Sequence, residues 1–117
     1  MGDRRPSEAE LISLLEDDYA REILVHTYEE ARSADDLSDV CDADPSTIYR
    51  RVERLRDRDL IKGRQRIDPN GHHYEVFRAR LRTVTIELTG EGYVVEVDRS
   101  EPDAADRFTR LYEELSG

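Results

Sequence analysis

Thiols, lysines and long apolar runs are scarce in this chain, and each scarcity closes a class of function. Cys41 is the one cysteine, so there is no internal disulfide framework and no Cys-rich zinc site. No apolar run approaches the roughly 18 residues that span a bilayer. The opening Met-Gly-Asp-Arg-Arg-Pro-Ser has no apolar stretch behind it, so the expected location is the cytoplasm. There are no internal repeats and no low-complexity linker. No Asp or Glu stands in a recognisable pairing with His, Cys or Ser, so the chain is read as a non-enzyme without cofactor or metal. Its 117 residues suit one compact unit with a modest core.

The cations are 17 Arg and a single Lys62, and they are outnumbered by 28 Asp+Glu, for a net charge of −10. Such a surface stays solvated when molar salt screens charge to within about 3 Å, the signature of a halophilic proteome. A GC-rich genome, whose codons also favour Arg, is the alternative source of the bias.

The acid excess is not uniform. Residues 45–82 hold ten Arg and Lys62 against Glu53, Asp57, Asp59, Asp68 and Glu75, a net of +6, and the remainder is −16. Pairing with acids on solvated helix faces would explain a balanced segment, but not a twofold cation excess. A basic island in an acidic protein is the footprint of a polyanion site, nucleic acid first among them.

Around the island the sequence predicts a regular order of elements. Ser7 to about Arg32 has helical spacing (Leu11, Leu14, Leu15, Tyr19, Ile23, Leu24, Tyr28), with Ser7 and Glu10 as a capping box. Glu16-Asp17-Asp18 is a possible break, because Asp prefers caps to helix interiors. A second helix spans about 34–42, led by Ser33. Asp44 as N-cap and Pro45 at N1 open a third helix running to about Asp59. Its Ile48, Val52 and Leu55 face inward. Lys62–Ile67 and His72–Ala79 read as strands joined by an Asp68-Pro-Asn-Gly71 turn. A second hairpin follows, turning at Thr89–Gly92. A last helix spans Pro102 to about Leu115, with an apolar stripe of Ala105, Phe108, Leu111, Tyr112 and Leu115.

Helix, helix, turn, basic helix, hairpin is the layout of a winged helix-turn-helix, so the fold class is α+β with an additional C-terminal β-hairpin and C-terminal helix. Residues 1–79 form the DNA-binding region and 80–117 the hairpin and dimerisation helix. The third helix would enter the major groove. Ser46 and Thr47, in its first turn, are placed to bind phosphate. Tyr49 and Arg50 follow on the exposed side, and Arg can bond guanine bidentately. Arg51 and Arg54 are read as phosphate ligands, with Arg58 salt-bridged. Arg64, Arg66, His72 and His73 flank the wing tip. Adjacent strand residues point to opposite faces, so His72 and His73 do not chelate one ion. Phe108, Leu111, Tyr112 and Leu115 exceed what so small a unit needs for itself and are read as a homodimer contact; packing on the second hairpin is the alternative.

The run Asp44-Pro-Ser-Thr-Ile-Tyr-Arg-Arg-Val-Glu-Arg-Leu-Arg-Asp-Arg-Asp-Leu-Ile61 resembles the recognition helix of ArsR-like winged-helix regulators. Asp18–Leu24 resembles their first core helix and Asn70–Phe77 their returning wing strand. Over about 17–79 the chain is similar to small haloarchaeal regulators of this superfamily. The resemblance implies a sequence-specific, double-stranded DNA-binding transcriptional repressor. The metal-sensing members carry a Cys-Val-Cys pair, whereas Asp39-Val-Cys41 has one thiol. A soft-metal site needs two or more such ligands. Cys41 is therefore read as a core residue rather than a redox switch, which would need an exposed, low-pKa thiolate. Two other readings stay open: a winged-helix module contacting an acidic protein within a transcription or replication complex, and a one-component ligand or redox sensor.

Overall fold

The structure, a computed structural model, describes residues 6–100. The last predicted helix, with Phe108, Leu111, Tyr112 and Leu115, lies outside the described residues. Helix α1 (Pro6–Glu16) and helix α2 (Asp18–His26) meet at Asp17, whose backbone leaves the helical region (φ −75°, ψ 122°) and whose carboxylate accepts the Tyr19 N–H at 3.1 Å. The predicted break is therefore a cap. Ser7, expected to cap, lies within α1.

The first helical run is shorter than expected. It stops at His26, because Thr27 closes the last turn: its hydroxyl donates to the Ile23 carbonyl at 2.7 Å and its own carbonyl accepts the Ala79 N–H at 3.0 Å. Arg32, expected at the end of the first helix, instead forms with Ser33 a short strand β1, pairing with Phe77 and Val76. Ser33 then caps helix α3 (Ala34–Cys41) by accepting the Asp36 N–H at 3.1 Å.

Asp42 ends α3 in the left-handed region, φ 51°. The Ala43 N–H bonds the Ser38 carbonyl (3.1 Å) and the Asp42 N–H the Asp39 carbonyl (3.3 Å), a Schellman pair. A non-glycine residue is strained there. Asp42→Gly is expected to stabilise the protein by about 0.5–1 kcal/mol, read as a higher denaturation midpoint at unchanged slope; a lower midpoint would refute the strain.

Helix α4 (Pro45–Asp57) ends in the same way. Asp59 sits at φ 60°, its N–H bonds the Arg56 carbonyl (2.9 Å), and the Leu60 N–H bonds the Leu55 carbonyl (2.9 Å). Strands β2 (Ile61–Ile67) and β3 (His73–Ala79) form an antiparallel hairpin, and the sheet order is β1-β3-β2. Leu14, Ile23, Leu37, Ile48, Val52, Leu55, Leu60, Ile61 and Phe77 form one buried core. The architecture is α+β.

Strands β4 (Leu81–Thr89) and β5 (Gly92–Arg99) form a second, two-stranded sheet. Its base is tied to the end of α4. Arg80 and Leu81 donate backbone N–H groups to the Leu60 carbonyl, at 2.8 and 3.1 Å. Arg80 pairs with Asp59 at 2.5 Å, and Arg99 bonds the Arg58 and Asp59 carbonyls, both at 2.9 Å. The register places Val84 opposite Val97, Ile86 opposite Val95 and Leu88 opposite Tyr93, so one face is apolar throughout. Its base packs on the core through Val84, Val95 and Val97; toward the tip Ile86, Leu88 and Tyr93 are exposed by 50%, 71% and 63%.

Candidate nucleic-acid interface

Alternation of buried and exposed positions along α4 decides which side chains reach solvent. Ile48, Val52 and Leu55 are fully buried, so Ser46, Tyr49, Arg50, Glu53 and Arg54 share the outer face. Thr47 is half-buried. Asp44 makes no side-chain cap bond, so its carboxylate does not occupy the first N–H groups of α4.

The cations of the basic island divide into two populations. Arg51 was expected to hold phosphate, but its guanidinium is bound to the Asp17 carboxylate, both side chains mostly buried, and lies 6.0 Å from the Tyr19 ring centre. Arg56 pairs with Glu75 at 3.2 Å and with Glu53 at 3.9 Å, its guanidinium 5.3 Å from the Phe77 ring centre. A Cβ on Gly63 would come within 2.2 Å of the Glu75 carboxylate, so the small residue makes room for this pair. Arg58 pairs with Glu10, as expected, and Arg82 lies over the Tyr28 ring at 5.0 Å. Arg50, Arg54, Arg66 and Arg78 make no ion pair among the described residues.

The β2–β3 register sorts the remaining charge. Lys62 faces Arg78, Arg64 faces Val76 and Arg66 faces Tyr74. By strand alternation these share one face of the hairpin, while Gly63, Phe77, Ile61 and Ala79 share the face toward the helices. One row thus holds Lys62, Arg64, Arg66 and Arg78. Sequence reasoning missed Lys62 and Arg78, although the period-two spacing of 62, 64 and 66 was a usable signal. His73 pairs with Ile67, on the face opposite this row. His72 lies at the tip with its Nδ1 3.5 Å from Asp68. The turn is held by Asp68, whose carboxylate accepts the Asn70 and His72 N–H groups at 2.9 and 2.8 Å, with Gly71 at φ 86°.

Cys41 is buried, 6% exposed. Burial, and then the charge of Glu22, pushes its thiol pKa up. A proton-bearing, buried thiol is a poor redox switch.

Helices α3 and α4, joined by the tight Asp42–Asp44 turn, make a helix-turn-helix. Residues 15–64, from the end of α1 to the middle of β2, match the family described as Helix-turn-helix domain. That match supports a DNA-binding regulator. No curated protein matches the chain. Among the described residues no helix is long and apolar enough to cross a membrane.

Proposed function

We propose that the protein is a homodimeric winged helix-turn-helix repressor of the ArsR-like type, from a halophilic archaeon, that occupies a pseudo-palindromic site in duplex DNA. Helix α4 is the recognition helix and the β2–β3 hairpin the wing. The observation that carries the reading is the division of the cations. Arg51, Arg56 and Arg58 are committed to internal acids, while Arg50 and Arg54 stand unpaired on the outer face of α4. Unpaired guanidiniums on one exposed helix face, in a chain of net charge −10, have no internal purpose. They fit a polyanion.

In this reading Thr47, Tyr49 and Arg50 read base edges, and Ser46, Arg54, Arg64 and Arg66 hold phosphates, with His72 and His73 at the wing tip. Residues 1–79 read DNA and 80–117 assemble the dimer through Phe108, Leu111, Tyr112 and Leu115. The open apolar face of β4–β5 supports assembly through this end. A dimer presents two α4 helices to half-sites about 34 Å apart. In molar salt counterion release contributes little, so the planar fork of Arg serves through hydrogen-bond geometry, in keeping with 17 Arg against one Lys.

The test is fluorescence anisotropy with genomic fragments in molar KCl, followed by a selected duplex against its scrambled counterpart. Two chains per duplex and a clear preference are expected. Binding to no fragment would overturn the proposal and favour an acidic protein partner. Arg66→Ala is expected to weaken binding to both duplexes equally and to lower the salt slope by about 1. A loss confined to the selected duplex would show that Arg66 reads bases.

A further inference from the structure

We propose that Glu22, His26 and Cys41 form a binding site for a divalent transition-metal ion of the zinc or cobalt class, between the last turns of α2 and α3. Glu22 and His26 stand one helical turn apart, which puts both on one face of α2. Cys41 reaches the same point from the C-terminal end of α3. One carboxylate oxygen, one imidazole nitrogen and the thiol sulfur all lie within 4.8 Å of one another. None of the three side chains is spent on a hydrogen bond or ion pair among the described residues.

The donor set suits a borderline ion. Thiolate and imidazole exclude magnesium and calcium, which take oxygen ligands. Bonds of about 2.0–2.3 Å put the donors of a tetrahedral site roughly 3.3–3.8 Å apart. Closing the present spacing needs side-chain movements of about 1 Å, within reach of the exposed Glu22 and the half-buried His26. Three protein donors leave a fourth position for water, an open site rather than a closed structural one. The electrostatics agree. The Glu22 carboxylate beside the thiol favours a cation placed between them. On binding, a sulfur–metal bond replaces the S–H bond, and the thiol proton leaves to solvent.

The sequence concealed this because the ligands are not clustered along it. One thiol excludes a Cys-Cys site, but not a mixed site completed by residues fifteen and nineteen positions earlier. An ion here ties α2 to α3 immediately before Asp42, where the chain turns into α4. The proposal stands independently of DNA binding.

Cobalt(II) titration of the reduced, full-length protein tests it. The expected result is one equivalent bound, with the visible bands of tetrahedral cobalt and a near-ultraviolet thiolate-to-cobalt charge-transfer band, both bleached by zinc(II). Cys41→Ser should abolish the charge-transfer band. His26→Gln should weaken binding about tenfold or more, since even ligand-supporting residues commonly cost that much. It also serves as the test variant if the core substitution unfolds the protein. The double variant His72→Gln/His73→Gln should bind as the parent does. Absence of a charge-transfer band, its survival in Cys41→Ser, unaltered affinity in His26→Gln, or its loss in the His72/His73 variant would each overturn the assignment. Cobalt held only by surface carboxylates would give no thiolate band, and that outcome also counts against it.

Discussion

Arg50→Ala is expected to lower the preference for a selected duplex over its scrambled counterpart by about 1–3 kcal/mol, roughly 5- to 150-fold. Arg50 is exposed in the first turns of α4 and unpaired, so its removal takes nothing from the fold. The variant's unfolding free energy should stay within about 0.5 kcal/mol of the parent. The neighbouring Arg51→Ala provides the contrast: its guanidinium is engaged by Asp17, so it should lose stability and retain the preference. Anisotropy on both duplexes, with urea unfolding of each variant, separates the two. Equal losses on both duplexes for Arg50→Ala would refute base reading by this residue.

Asp17→Ala should be among the most destabilising single changes outside the core, at about 1.5–5 kcal/mol. Losing the α2 cap accounts for about 0.5–2 kcal/mol. Leaving the mostly buried Arg51 without its carboxylate adds about 1–3 kcal/mol. One side chain serves both because Asp17 stands where α1 and α2 meet and faces α4. Urea unfolding of Asp17→Ala, Arg51→Ala and the double variant completes a cycle. The double variant should cost clearly less than the two singles together. Additivity would show that the ion pair contributes nothing, and the remaining Asp17→Ala loss would then be the cap alone.

Much of the fold was legible in the sequence, for local reasons. Asp17, Ser33 and the Asp68-Pro-Asn-Gly71 turn act through bonds to their own neighbourhood, and Asp44-Pro45 opens α4 through backbone preference alone, so composition and spacing expose them. The apolar periodicity of Ile48, Val52 and Leu55 separates the inner from the outer face of α4. The boundary at His26 was hidden because it depends on Ala79, more than fifty residues away, which binds the Thr27 carbonyl, and on Phe77 and Val76, which draw Arg32–Ser33 into the sheet. The fate of Arg51 was hidden likewise. Nothing in a run of Arg residues says which one faces an acid thirty-four positions earlier. The row of Lys62, Arg64, Arg66 and Arg78 was half visible, since alternation gives its first three members but only strand register adds the fourth.

The clasp of Asp59, Arg80 and Arg99 makes the second hairpin an arm fixed at its base to the end of α4. In a dimer built through the outer part of that arm, arm length sets the separation of the two recognition helices. Removing one cross-strand pair at each of two successive positions, for example Ile86 with Val95 and Glu87 with Val94, keeps the alternation of faces. It shortens each arm by about 7 Å, so two arms end to end lose about 14 Å, close to the rise of four base pairs at about 3.4 Å each. Operator spacing would then be a mechanical property of β4–β5, adjustable without touching any residue that meets DNA.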